Sequence, residues 1–374
     1  MNYIIPIKTA IVVFPFIALL FSVPFILHQY HKYGSINLFR VLIIYSFILY
    51  MIIIYFLVIL PLPNRNEVVY KPNMIKLIPF GFIKDFIRES SFVLTNPSTY
   101  LKALTEPCFY TVVFNIFMTI PFGMYLRYYF KCDLKKTTIM SLGLSLFFEL
   151  TQLTGLYHFY PYQYRVFDVD DLIMNTLGGV IGYFIMGLID NFLPTRDEID
   201  KESISAGKTI SGLRRITVFC LDCFLYMFIT IFFSIFIHKE YLSIITFILY
   251  YVIYPYFKDG MTLGSKFLNV RLEFSKYRLI KITLRIMFLY AYYFGSLFII
   301  VAGVSFIKAR LNLEFSESFW LYVLTIIIIF MFHLMNIFCL IKNKKIFYDN
   351  IFKVKYISTI KMENSIENIE IERE

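Results

Sequence analysis

Glu149-Leu-Thr-Gln152, then Arg165-Val-Phe-Asp168-Val-Asp170-Asp171-Leu-Ile-Met-Asn175-Thr-Leu-Gly178-Gly179-Val-Ile-Gly182, is the stretch on which the fold of this chain turns. Its flanks read as membrane helix, so these polar groups belong at or inside a bilayer. An acidic or basic side chain at mid-bilayer costs about 2.5–3.5 kcal/mol on insertion scales. Glu149 and Gln152 are three apart and share a helix face. Asp171, Asn175, Gly178 and Gly182 follow at spacings of four, three and four, which is one face of a second helix. Gly178 and Gly182 form a small-xxx-small stripe that admits a neighbouring helix closely. Two helices thus turn polar faces toward one shared pocket, with Arg165 and Asp168 in the loop between them. The candidate pocket is Glu149, Gln152, Arg165, Asp168, Asp171 and Asn175. The competing reading is structural: Asp168 or Asp170 caps the second helix, and Glu149 pairs with Arg165 as internal glue. Ionisable groups inside a membrane are functional by default, which favours the pocket.

The rest of the composition agrees with a membrane setting. The chain has 374 residues, of which 59% are hydrophobic, against about 45–50% in soluble domains. The fold class is an all-α polytopic membrane protein. Tyr is abundant and Trp nearly absent, so Tyr supplies the interfacial belt. The net charge of +10 fits cytoplasmic loops facing anionic lipid, and no aromatic-basic motif argues for nucleic acid. Cys220-Leu-Asp-Cys223 has redox spacing but lies in an apolar helix with no βαβ context, so it reads as two small buried side chains. No zinc spacing is present, and no cofactor is expected. The N-terminus lacks a basic n-region and a small-residue cleavage site, so it reads as a first span.

Hydropathy places spans at Ile4 to Leu27, Leu38 to Leu60, Phe109 to Phe130, Thr137 to Leu156 and Leu172 to Leu193. Four more follow at Leu213 to Ile237, Tyr241 to Phe257, Leu284 to Ile307 and Phe319 to Ile341. That is about nine membrane helices, five and then four, each near the ~20 residues a bilayer requires. Residues 73–90 hold a short apolar run broken by Pro79-Phe-Gly81 and an amphipathic run with Lys84, Asp85, Arg88 and Glu89. This segment is expected to be re-entrant or interfacial. Residues 194–212 are polar and lack an apolar period, and read as a cytoplasmic linker. The domains are therefore 1–193 and 213–356, with an acidic tail at 357–374 expected to be disordered. No internal repeat is visible.

With the N-terminus outside and the C-terminus in the cytoplasm, the inside loops receive Lys131/Lys135/Lys136, the basic linker, the basic 258–281 loop and Lys342/Lys344/Lys345. The exception is the long 64–106 segment, and long loops follow the positive-inside rule poorly. This orientation turns the Glu149 pocket to the extracytoplasmic side.

Four pieces occur in a telling order: Asn73 with Leu77-Ile-Pro79-Phe80; Asn115-Ile-Phe-Met-Thr-Ile-Pro121-Phe-Gly123; Glu149-x-x-Gln152; and Arg165-x-x-Asp168-x-x-Asp171-x-x-x-Asn175-x-x-Gly178-x-x-x-Gly182. Residues 73–190 resemble the VanZ-like family, named for a teicoplanin-resistance protein. The sequence departs at Lys76, where Asn-Leu-Ile-Pro-Phe is usual. The resemblance implies a cell-envelope role and, for the founder, reduced susceptibility to lipoglycopeptide antibiotics.

The second half carries Arg215 and Asp222, seven apart and so on one helix face, with Gly260-x-Thr262-x-Gly264-x-Lys266 and Tyr348-Asp349. Asp222 lies roughly 10–12 Å into its helix at ~1.5 Å per residue. Residues 213–356 are similar to the RDD family, named for one Arg and two Asp; the motif residues here are Arg215, Asp222 and Asp349. The last piece departs from the family pattern, with Tyr348 in place of a usual His and no Gly-Thr after Asp349. The structural reading of Arg215 and Asp222 is an ion pair that fixes helix packing.

Two classes of function follow. In the first, the pocket binds or modifies a membrane lipid or lipid-linked cell-wall precursor, with Arg165 holding an anionic group and Glu149 and Asp171 serving as acid and base. No Ser-His or Cys-His arrangement supports covalent catalysis. In the second, Glu149, Asp171 and Asp222 serve an ion or small-solute transporter as intramembrane carboxylates. The lack of inverted repeats and paired broken helices argues against transport.

Overall fold

The structure is a computed structural model that describes residues 4–274, 276–311, 315–342 and 347–360. Most of the expected tail, from residue 361, lies outside the described residues. The chain divides into two compact units. One holds the chain to Ser22 and Leu38–Ile199, and the other holds Val23–Asn37 and the chain from Asp200.

The first unit takes the start of α1 (Ile4–Tyr33), then α2 (Leu38–Ile59), β1 (Ile75–Lys76), α3 (Gly81–Glu89) and α4 (Tyr100–Leu104). It continues with α5 (Pro107–Tyr128), α6 (Leu134–Leu153), α7 (Gly155–His158), β2 (Phe167–Asp168), α8 (Val169–Ile189) and the start of α9 (Arg196–Gly207). Local chemistry sets these ends. Pro107 occupies the first turn of α5, where its missing N–H costs nothing. The Asp133 carboxylate caps α6 by accepting from Lys136 N at 2.8 Å, and Asp168 caps α8 by accepting from Asp170 N at 2.9 Å. Within residues 194–212, read as a polar linker, the chain forms α9. Thr195 and Glu198 form a reciprocal capping box, with Glu198 N donating to Thr195 Oγ1 at 3.2 Å and Thr195 N to Glu198 Oε2 at 2.9 Å. Ile199 with Ser203, and Asp200 with Ile204, give α9 a buried face at i, i+4 spacing.

Every apolar stretch expected to span falls in helix. However, only six helices among the described residues are long and apolar enough to cross a membrane: Ile4–Tyr33, Leu38–Ile59, Pro107–Tyr128, Val169–Phe192, Gly212–Phe236 and Phe319–Ile341. The count of nine is not reproduced on that measure. α6 carries Lys135, Lys136, Glu149 and several hydroxyls, and Leu242–Phe257 is shorter. The stretch from Arg278 is divided by a π-helical turn at Ala291–Gly295.

The core of the first unit is the packing of α5 and α6 on α8. A Cβ on Gly178 would stand 2.2 Å from Ile116 O, and one on Gly182 2.0 Å from Ile120 O. On the other side of the contact, a Cβ on Gly123 would stand 1.8 Å from Gly179 O. The backbones of α5 and α8 therefore touch, as the small-residue stripe requires. Residues 73–90 do not cross: β1 has two residues and α3 nine, against the ~20 of a span. β1 pairs in parallel with β2, with Ile75 opposite Phe167 and Lys76 opposite Asp168. Asp170 accepts Phe80 N at 2.6 Å and Phe82 N at 2.8 Å, which ties the start of α3 to α8.

The second unit holds α10 (Gly212–Phe236), α11 (Leu242–Ile248), α12 (Tyr254–Phe257), α13 (Leu263–Phe267), β3 (Val270–Glu273), α14 (Arg278–Tyr290) and α15 (Ser296–Leu311). α16 (Phe315–Ile341), α17 (Phe347–Ile351) and β4 (Lys355–Ser358) complete it. β4 pairs antiparallel with β3, so ordered structure continues past the expected domain end at residue 356. Arg214 is fully buried and donates to four main-chain carbonyls, those of Leu268, Gly34, Gly207 and Asn269, at 2.8–3.0 Å.

Gly178→Ala should lower thermal stability by about 1–3 kcal/mol or more, the usual penalty of overpacking, because its new methyl meets backbone. Gly143→Ala, inside α6 with nothing within 4 Å of its Cβ position, should leave the melting temperature of the purified protein unchanged or raise it slightly, since helical Gly is less stable than Ala by roughly 0.5–1 kcal/mol. Asp170→Ala should leave two amides without an acceptor, each worth about 1–3 kcal/mol. Hydrogen exchange should then quicken over residues 80–90 and not in α5; unchanged exchange would mean that another contact anchors α3.

Candidate functional site

The polar cluster of the first unit is built on α6, α8 and the loop joining them. α6 presents Thr137, Ser141, Ser145 and Glu149 at four-residue spacing, all buried. Ser145 Oγ accepts from Asn175 Nδ2 at 2.9 Å and donates to Asp171 O at 3.2 Å. Glu149 Oε2 accepts the main-chain N–H of Asp168 at 3.1 Å. Asp171 Oδ1 accepts from Asn115 Nδ2 of α5 at 2.5 Å. Glu149 Oε1 and Asp171 Oδ2 accept no hydrogen bond among the described residues. Asn175 Oδ1 is buried and has no partner among the described residues.

Arg165 does not do what the sequence suggested. It makes no ion pair with Glu149 or Asp168 among the described residues. Its Nη1 and Nη2 donate to the carbonyls of Val58 at 2.6 Å and Leu60 at 2.7 Å. Gln152 Nε2 donates to the same Val58 oxygen at 3.2 Å. The physical reason lies at the end of α2: its last carbonyls have no helical partner, and Pro61 and Pro63 bring no N–H. Burial pushes the Arg165 guanidinium below its ordinary range, against the upward pull of Tyr164, Asp171 and Glu149. Asp168 is raised by burial, with Lys76 acting against that. Lys76 lies 3.1 Å from Asp85 and 3.7 Å from Asp168, and the hydrogen bond to Asp85 raises its pKa most. The residue that departs from the family pattern thus links α3 to the cap of α8.

The loop that joins α6 to α8 opens with α7, a left-handed turn. Gly155, Leu156, Tyr157 and His158 have φ of 59°, 58°, 56° and 68°. A left-handed conformation costs a non-glycine residue roughly 1–2 kcal/mol. The turn is held by Tyr160 N on Gly155 O at 2.9 Å and by Tyr157 OH against Thr151 Oγ1 at 2.8 Å. Strain of this kind gathers at functional sites.

The cluster therefore brings together Glu149, Asp168, Asp171 and Asn175, joined through Ser145 and the α8 cap, while Gln152 and Arg165 meet at the end of α2. Sequence reasoning left Asn115, though part of a quoted motif, out of the pocket, and missed Ser145 and the anchoring role of Asp170. The four-residue hydroxyl spacing ahead of Glu149 was a readable signal for Ser145. Asn115 stood in a motif piece and Asp170 among the cap candidates, but nothing local named the partners that the fold gives them.

In the second unit Arg215 does not pair with Asp222. Arg215 Nη1 lies 3.4 Å from Asp349 Oδ2 and Arg285 Nη2 3.7 Å from Asp349 Oδ1. Tyr356 OH donates to the same Asp349 Oδ1 at 3.0 Å. Asp222 accepts from Tyr250 OH at 2.7 Å, Thr262 Oγ1 at 2.6 Å and Gly264 N at 2.8 Å. A Cβ on Gly264 would stand 2.6 Å from Asp222 Oδ1, so the Gly-x-Thr-x-Gly turn closes over this carboxylate. Arg285 was not foreseen, because nothing near it in sequence names its partner.

Comparison with known proteins bears on the first cluster. No curated protein and no solved structure matches the chain. The family match stops at residue 190 and lends nothing to the RDD resemblance of residues 213–356. It begins inside α2, upstream of Asn73, and so takes in the Val58 and Leu60 carbonyls that Arg165 holds. The α2–α8 region that carries Glu149, Arg165, Asp168 and Asp171 is similar to the VanZ/LLP1 family, whose model matches residues 47–190.

Proposed function

We propose that the chain is a multi-pass cell-envelope protein of VanZ-like type. In this reading its α6–α8 cluster binds or modifies a lipid-linked or cell-wall group and lowers susceptibility to teicoplanin-type glycopeptides. One observation carries the proposal: Glu149 and Asp171, from two different helices, each keep a carboxylate oxygen with no donor among the described residues, near an Arg165 whose two Nη atoms are held by carbonyls. Carboxylates in such a place are retained for use rather than packing. The cluster offers acceptors, and Arg165 has both Nη atoms on carbonyls. The group it suits is therefore a hydroxyl, amine or amide N–H of the precursor, not the anion first expected against Arg165. Glu149 and Asp171 then act as acid and base on that group. The N-terminus outside and the C-terminus in the cytoplasm, as loop charges favour, set the cluster toward the envelope.

We read residues 213–356 as RDD-like. The closing of Gly260-x-Thr262-x-Gly264 on Asp222 and the meeting of Arg215 with Asp349 support this. The second functional reading, an ion or small-solute transporter, is favoured by one feature: Asp222 is a buried carboxylate in a membrane helix held by neutral donors alone.

Glu149→Gln and Asp171→Asn should abolish glycopeptide protection in a susceptible host while membrane abundance stays near normal. Arg165→Ala should lower abundance first, since it strips donors from two carbonyls at the end of α2, each worth about 1–3 kcal/mol. Loss of abundance in step with protection for the two acid variants would leave only a structural role. A transporter would instead show Asp222→Asn abolishing solute-driven pH change in vesicles. A cysteine at Tyr162 should be labelled from outside the cell; labelling from the cytoplasm alone would overturn the orientation and the outward site.

A further inference from the structure

The second unit encloses a cavity of about 310 Å³ walled by α10, α14, α16 and the β3–β4 pair. That lies at the small end of the ~300–1,000 Å³ typical of ligand sites. Most of the wall is apolar, with Phe219, Leu289, Ile337 and Leu340 among its residues, and Arg215 and Arg285 also line it.

The two guanidiniums are poorly satisfied by the protein. Each carries five N–H donors. Arg215 donates to Asp349 at 3.4 Å and lies 4.1 Å over the Tyr356 ring. Arg285 donates to Tyr356 OH at 2.8 Å. The Nε atoms of both are buried and meet no acceptor among the described residues. Two positive groups share one carboxylate, Asp349. The other acid in the wall, Asp222, is held by Tyr250, Thr262 and Gly264 and forms no ion pair with either arginine among the described residues. A buried guanidinium lacking a full set of acceptors is costly unless an anion completes it.

Depth and shape point to the kind of anion. Arg215 is the fourth residue of α10, and Asp349 lies just beyond the end of α16. The charged end thus stands where helices leave the bilayer. Ile337, in the apolar wall, is 41% exposed, and Leu334 and Ile341, one turn away on the same face of α16, are 43% and 50% exposed, so that wall borders an exposed apolar face of the helix. A small hydrated anion gains nothing from such walls, whereas an apolar stem does. We infer that this cavity binds an anionic amphiphile, with a carboxylate or phosphate group against Arg215 and Arg285 and its apolar stem leaving past Ile337.

The test is equilibrium binding of radiolabelled oleate to the full chain in neutral detergent. A single saturable site is expected. Arg285→Gln should weaken it by about ten-fold or more, the loss expected of a charge-assisted hydrogen bond; Arg285→Lys should weaken it less. Ile337→Trp should block the stem without touching the charges, and it decides the matter alone if Arg285→Gln lowers the melting temperature. An uncharged alcohol of the same chain length and inorganic phosphate should both fail to compete. Competition by phosphatidylglycerol in nanodiscs would make a membrane lipid the ligand, and its failure would make a free acid the ligand. Non-saturable oleate uptake, binding unchanged in both Arg285→Gln and Ile337→Trp, or full competition by inorganic phosphate would overturn the proposal.

Discussion

Main-chain carbonyls that leave a helix near a bilayer need donors from the protein, and a half-buried arginine in one unit and a fully buried one in the other take them up. Arg165 receives the carbonyls of Val58 and Leu60 where α2 ends at two prolines. Arg214 receives those of Gly34, Gly207, Leu268 and Asn269. Irregular backbone at membrane depth survives only where protein groups satisfy it. A guanidinium suits this work because it presents five donors in a fixed planar fork. Removing Arg165 strands two acceptors together and removing Arg214 strands four.

The same constraint organises the three acids near the start of α8. They sit within four residues yet do separate work. Asp168 closes the first turn of α8, Asp170 holds the amides that open α3, and Asp171 turns to Asn115 of α5. One helix start thus fixes its own cap, the interfacial segment and the polar face of the cluster. The backbone contact of Gly178 and Gly182 with α5 holds that face near enough for the Asn115 bond to form. Packing and polar geometry are consequently coupled: a methyl added to the stripe displaces the carboxylate as well as the helix.

The two polar clusters differ in chemical sign. The α6–α8 cluster offers carboxylate oxygens without donors. The Arg215–Arg285 cluster offers guanidinium N–H groups without acceptors. Each is within a single unit, and each has one member whose partner the sequence does not predict, Asn115 in the first and Arg285 in the second. Their ligand chemistries are accordingly independent, acceptor-led in the first unit and donor-led in the second.

By itself the sequence determined the membrane class, the helical stretches, the shared face of Asp171, Asn175, Gly178 and Gly182, and the failure of residues 73–90 to cross. These follow from side-chain period, run length and the size of glycine, all properties of neighbouring residues. The capping box at Thr195 and Glu198 was equally local and readable, although its polar surroundings read as a linker. Tertiary structure alone decided who meets whom. Arg215 goes to Asp349 and not to Asp222, its neighbour on the same helix face. Arg165 goes to carbonyls over a hundred residues away and not to Glu149. A charge buried in a protein settles where the most donors and acceptors are satisfied at once, and that sum runs over segments brought together only by folding.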